Sequence, residues 1–250
     1  MYTAAFLVLL GGMVNQTVAH YLFGHLIING TKTPAFEYVR DVDPPSEYID
    51  SIAFGKTYPL WPEDLDSANF TCGRNAWLYA SNTSTATVMA GSQVGMGVIP
   101  QIPSLKGKYD NIFHEGPGLV YMAPLKGKKT LEEWTGEDGE WFKIAEWGFL
   151  NATAWVIQKW TEVNFTIPLT TPPGKYLLRM EHFTFSPSMQ WYVNCAHIDV
   201  VGPGGGNPTG FAKFPGTYVL KDIRDRFYKE GWSRDYRNFS GFGEPPVWRG

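Results

Sequence analysis

The 250-residue chain carries only two cysteines, Cys72 and Cys195, and no CxxC pair. Without such a pair there is no cysteine zinc site of the common spacing and no dithiol redox motif. HExxH, GxSxG and a phosphate-binding glycine loop are also missing, which removes zincin, serine-hydrolase and nucleotide-binding chemistry. Charge of one sign never accumulates. Against 24 acidic residues stand 21 basic ones, a formal charge of −3, so nothing points to a nucleic-acid partner. No repeat of fixed period and no low-complexity block interrupts the chain.

Met1 to Ala19 lacks any charged side chain, including the Lys or Arg that usually precedes the apolar run of an export signal. What it has is the apolar run Ala4–Leu10 and a close on Thr17-Val18-Ala19, small or compact residues that suit signal peptidase. The run is too short to span a bilayer. The expectation is a cleaved secretory signal over 1–19, an extracellular monomer, and a single domain over 20–250 whose first residue is His20. Two cysteines in an oxidising compartment most simply form one disulfide, Cys72–Cys195. Acceptor triplets at Asn29, Asn69, Asn82, Asn151, Asn164 and Asn238 fit secretion with glycosylation.

Short β-branched and aromatic runs recur between Gly, Pro, Asn and Ser clusters: 86–89, 118–122, 164–167, 176–181 and 191–200. This spacing predicts an all-β, antiparallel sandwich of the immunoglobulin or fibronectin kind, with long loops. Helix is confined to short pieces, for example around Leu131–Trp134. The glycine-rich stretch 202–206 reads as a loop inside the domain, followed by a C-terminal segment wrapped over the core.

Imidazole is the strongest metal-binding chemistry on offer, from His20, His25, His114, His182 and His197. An N-terminal histidine presents an amine and a ring nitrogen to one ion. His114 lies in Phe113-His114-Glu115-Gly116-Pro117-Gly118, a loop entering a strand, where its ring projects from the sheet edge. His25 and His197 read as strand or packing residues.

Several segments together resemble the fungal lytic polysaccharide monooxygenases of auxiliary activity family nine, once glycoside hydrolase family sixty-one. They run from His20 and Ile27-Ile28-Asn29-Gly30 through Phe70-Thr71-Cys72-Gly73, the His114–Met122 segment and Glu140–Ile144. They continue with Gly174–His182, Gln190–Cys195, Phe214–Tyr218 and Pro245–Trp248. The resemblance implies one copper ion held by the His20 amine, the His20 ring and the His114 ring, with Tyr192 as axial ligand. Tetragonal nitrogen and oxygen ligation suits Cu(II). It further implies that Gln190, two residues earlier on the same strand face, hydrogen-bonds bound oxygen. A reductant or secreted redox protein would supply electrons, and O2 or H2O2 would serve to oxidise C1 or C4 of a β-1,4-glucan. Tyr21, Tyr228 and Trp232 are the expected sugar-contacting rings, because sugar CH faces stack on aromatics.

The chain departs from that family in two places. In the pattern Arg-x-Glu-x-Ile-Ala-Leu-His, the histidine falls here on Ser186, and the connection Ser186–Met189 into Gln190 is short. A serine hydroxyl does not titrate near neutral pH as an imidazole does. His182 is the other candidate for that role if the strand pairing shifts, but an ordinary strand histidine is the favoured reading, since a register slip is costly where one face is buried. Val94–Pro100 replaces a commonly polar strand ending in tryptophan. Two competing functions follow: a secreted copper-binding protein without efficient oxygen chemistry, or a carbohydrate-binding sandwich with structural histidines.

Overall fold

The structure, a computed structural model, describes residues 20–100, 110–127, 129–151, 153–184, 189–224 and 245–250. The segment 1–19 expected as an export signal, Ser186, Tyr228, Trp232 and the acceptor triplet at Asn238 lie outside the described residues. In chain order the strands are β1 (Tyr21–Ile28), β2 (Thr31–Lys32), β3 (Ala86–Met89), β4 (Gln93–Pro100), β5 (Gly118–Pro124) and β6 (Phe142–Trp147). Then come β7 (Phe149–Asn151), β8 (Ala154–Trp155), β9 (Glu162–Thr166), β10 (Gly174–Thr184) and β11 (Gln190–Val201).

These strands form a sandwich of two sheets, ordered β2-β1-β4-β9 and β3-β11-β10-β5-β6, with a small β7–β8 pair beside them. Every strand pair is antiparallel except β3 against β11. The predicted runs at 86–89, 118–122, 176–181 and 191–200 fall on strands, and that at 164–167 does so up to Thr166, where β9 ends. No described helix is long and apolar enough to cross a membrane.

The pleat sorts side chains of the larger sheet into two layers. Val120, Met122, Leu178, Met180, Tyr192, Ala196 and Ile198 meet Phe23, Leu26, Met96 and Val163 of the smaller sheet. Leu119, Tyr121, Leu177, Phe183, Trp191, Val193 and Cys195 point the other way, under Phe70, Trp134, Trp141 and Phe214 from the long connections. Both faces are covered, so β5, β10 and β11 are buried along almost their whole length, including the polar Arg179, Glu181, His182 and Asn194. The Cys72–Cys195 disulfide ties the helical turn Asn69–Cys72 to β11 across that outer layer.

One helix expectation fails. Residues 131–133 form turns, and the helical pieces lie at 46–55, 62–64, 69–72, 76–82 and 220–224. The cause is Arg40, buried in the outer layer, whose Nη2 donates to the carbonyls of both Leu131 and Trp134 at 2.8 and 2.7 Å. Those carbonyls are diverted from a helical ladder to a guanidinium. The C-terminal residues return over the core as expected, with Trp248 N–H donating to Lys143 O and its ring against Phe142.

Candidate metal centre

The site assembles at one end of the sandwich, where β1 begins and β11 begins. Strand β10 and β11 are paired continuously, Gly174 opposite Val200 through Thr184 opposite Gln190. That register sets His182 directly opposite Tyr192, with Gly118 on its other side. Gln190 and Tyr192 share a face, as expected for positions two apart. The first residues of β1 are brought to them by Asn194 of β11, whose Oδ1 accepts the Phe23 N–H at 2.9 Å.

Residue 116 decides how His114 arrives. Gly116 has φ +151, and a Cβ there would lie 1.8 Å from the Phe183 carbonyl oxygen. Only glycine lets the loop lie this close against the end of β10. His114 then faces His20 with ring centroids 6.4 Å apart, and Tyr192 at 5.9 Å. His114 Nε2 is buried without a hydrogen-bond partner. Such an orphaned acceptor in a native fold asks for a ligand.

Burial lowers the His20 pKa to about 4, and burial together with the neighbouring His20 lowers that of His114 to about 4. Both rings are therefore neutral at pH 7 and present a lone pair. Among the described residues no group of three or more His, Cys, Asp or Glu side chains could hold a metal. A site here has two imidazoles, and any third nitrogen has to come from the main chain. The 6.4 Å between the His20 and His114 ring centroids leaves room for a single ion between the two rings. The donor set present, two neutral imidazoles facing each other, fits a nitrogen-ligated metal site.

Tyr192 is buried, and its hydroxyl donates to Gln190 Oε1 at 2.7 Å. Burial holds its phenol well above the ordinary tyrosine pKa. His182 is fully buried and lies 5.9 Å from Tyr192, centroid to centroid. The sequence reading needed a register slip to bring His182 here; the regular register does so unaided. Tyr21, expected as a sugar-contacting ring, is instead 1% exposed and stacked on Tyr192 at 4.2 Å, so it has no face to offer a polysaccharide. His25 binds the Thr33 carbonyl and His197 accepts from Arg40 Nε, both structural contacts.

Family comparison agrees with this geometry. Residues 20–236 match Auxiliary Activity family 9 (formerly GH61), and the match begins on His20. The chain belongs to Auxiliary Activity family 9. Its relatives include the AA9 family lytic polysaccharide monooxygenase U of Thermothielavioides terrestris, 46% identical over 230 residues, covering 89% of this chain and 85% of that protein. The AA9 family lytic polysaccharide monooxygenase D of Emericella nidulans is 34% identical over 228 residues, covering 87% and 75%. Among solved structures, HiLPMO9B superposes with a TM-score of 0.67 at 24% identity, over 92% of this chain and all of that one. CvAA9A gives 0.67 at 22% identity, over 92% and 98%. This AA9 chain is thus a lytic polysaccharide monooxygenase by family, with the family's β-sandwich.

Residue-level reading missed one part of the site. Tyr58 meets the His20 ring edge-on at 4.5 Å, and Tyr48 stacks on Tyr58 at 4.1 Å. Phe54 packs on both, and Ile49 and Ile52 on the same segment are 65% and 53% exposed. The available signal was the density of Tyr, Ile and Phe between Pro45 and Pro59, unusual for a surface loop. Phe113, next to His114, adds a further exposed ring.

Proposed function

We propose that the protein is exported, cleaved after Ala19, and binds one copper ion through the His20 amine, a His20 ring nitrogen and His114 Nε2, with Tyr192 completing the site. It then cleaves a β-1,4-glucan, cellulose or a related hemicellulose, by oxidation at C1 or C4. The observation that carries this reading is the approach of His20, where the family match begins, to a His114 whose Nε2 is buried and unpartnered. The amine ordinarily titrates near pH 7.7–8.0, so binding displaces its proton and weakens in acid.

Bound copper would supply one-electron chemistry with O2 or H2O2, drawing on an external reductant. In the overall reaction a sugar C–H becomes C–OH. One oxygen atom of O2 enters the sugar and the other leaves as water, with two electrons and two protons from the donor; with H2O2 the balance closes without further electrons. The hydroxylated carbon then expels the glycosidic oxygen, leaving a lactone or a ketone. No carboxylate pair is required, unlike glycoside hydrolysis.

The chain's own residues bind, orient and exclude water. Tyr21 and Tyr192 close the floor of the site against solvent. Gln190 accepts the Tyr192 hydroxyl through Oε1, which orients its amide beside the metal-binding end of β11. Tyr48, Phe54 and Tyr58, flanked by Ile49 and Ile52, form the apolar face on which a glucan lies beside His20, sugar CH groups against rings. Tyr228 and Trp232 are further rings proposed for sugar contact.

The test uses protein whose first residue is His20, loaded with one copper, incubated with cellulose or xyloglucan and ascorbate or peroxide. Aldonic or C4-ketone oligosaccharides are expected, and none from protein retaining one extra N-terminal residue. Copper uptake without oxidised products under any donor would overturn the oxygenase in favour of a copper-binding protein. Absence of copper uptake would leave a carbohydrate-binding sandwich.

A further inference from the structure

We propose that Tyr21 and His182 are positioning residues for the copper centre, a hydrogen-bonded pair that locks the mature N-terminus, the His114 loop and the Tyr192 strand into one arrangement. This inference rests on the copper reading above. Its observation is a buried hydrogen bond between Tyr21 Oη and His182 Nδ1, 2.6 Å long, joining residues 161 positions apart. Neither residue is more than 1% exposed.

Each partner touches elements that the other does not. Tyr21 follows His20 directly, stacks on Tyr192 at 4.2 Å and 12°, and its hydroxyl feels the His114 backbone N–H. His182 is held in the ladder between Gly118 and Tyr192, and its Nε2 lies where a Cβ on Gly116 would come within 3.2 Å. In a neutral imidazole one nitrogen carries the proton. With that proton on Nε2, facing Gly116, Nδ1 accepts from the tyrosine. One bond therefore closes a circuit through four segments: the start of β1, the 113–117 loop, β10 and β11.

Removing the bond leaves polar atoms in a dry pocket, since Nε2 already has no good hydrogen-bond partner. Buried donors and acceptors without partners are unfavourable enough to make rings repack. Tyr21 is one Cα from His20, so its repacking moves a ligand directly. Metal–ligand distances tolerate only about 0.2 Å. A pair that merely stabilised the core would change the melting temperature and leave the metal unaltered.

The experiment compares processed wild type, Tyr21→Phe, His182→Leu and His182→Asn by copper calorimetry, continuous-wave EPR of the Cu(II) form, and thermal unfolding of the apo proteins. Wild type is expected to take one copper. Tyr21→Phe and His182→Leu should bind it about tenfold more weakly and shift the parallel hyperfine splitting. His182→Asn, whose amide oxygen accepts the tyrosine proton from near the Nδ1 position, should return towards wild type. The Tyr21→Phe/His182→Leu double variant should be no worse than either single one, because both remove the same bond. Should His182→Leu fail to fold, Tyr21→Phe, which keeps the ring stack, carries the test alone. Unchanged affinity and spectrum in Tyr21→Phe overturn the proposal while copper uptake by wild type upholds the reading beneath it. A wild type that takes no copper overturns both.

Discussion

Lowering the pH from 7 to 5 should destabilise the protein through His197, and His197→Gln should abolish that part of the loss. The ring is buried on β11, where Nε2 accepts from Arg40 Nε at 2.8 Å. Burial first, then the Arg40 guanidinium and more weakly Lys175, lower its pKa from 6.5 to about 3, against an opposing contribution from the Thr83 backbone. The unfolded chain takes up a proton near pH 6.5 and the folded chain does not. Stability from the neutral ring is thus complete above pH 6.5 and declines as the pH falls towards 3, where the folded ring also protonates. At about 1.4 kcal/mol per pH unit, the loss reaches about 2 kcal/mol at pH 5. His182, lowered to about 3 chiefly by burial, acts in the same direction but is present in both proteins and cancels from their difference. Glutamine retains an acceptor for Arg40, so the variant remains comparable. Urea unfolding of the apo proteins, followed by tryptophan fluorescence at pH 7, 6 and 5, should show the stability gap between wild type and variant narrowing by about 2 kcal/mol. Parallel pH profiles would refute the assignment of this ring as a neutral, buried acceptor.

Gly116→Ala should lower copper affinity at least tenfold while far-UV circular dichroism stays native. The new Cβ would sit 1.8 Å from Phe183 O and force the His114 loop outwards; unchanged binding would remove Gly116 from the site's design. Replacing Cys72 and Cys195 by serine opens a link across 123 positions and should cost about 4–5 kcal/mol, a fall in melting temperature of roughly 10–15 °C by calorimetry. Tyr58→Ala should weaken retention on cellulose several-fold in a pull-down and leave the copper stoichiometry at one; equal retention would move the sugar face elsewhere.

What could be read without coordinates divides along sequence distance. The strands are local patterns of β-branched and aromatic residues, and His20, His114, Gln190 and Tyr192, which the structure brings together, were picked out by motif order and an expected signal junction. The disulfide needed only a count of two cysteines. Arg40 meets the Leu131 and Trp134 carbonyls across 91 and 94 positions, so no local window could foresee that it would deny a helix there. Tyr21 was expected to meet sugar because it stands beside His20, yet the Phe23–Asn194 hydrogen bond draws the start of the strand down onto β11 and buries it. Tyr58 escaped notice because a ring's contact with His20 depends on how a prolyl loop folds back, not on any period in its residues.

His182 lies within β10, four positions before the residue that aligns with the family's histidine. The family's histidine would fall on Ser186, in the connection between β10 and β11, whereas His182 enters from within β10. A residue paired on both sides, to Gly118 and to Tyr192, has its backbone fixed twice over, and groups carried on regular elements are positioned more precisely than those on loops. The same placement removes it from the surface: fully buried, its ring reaches Tyr21, Tyr192 and the His114 loop but no polysaccharide. In the proposed function His182 would therefore act on the groups around the copper site and not on the polysaccharide. Substrate turnover and metal geometry should accordingly respond to different residues in this chain, the Tyr48–Tyr58 face for the first and the Tyr21–His182 pair for the second.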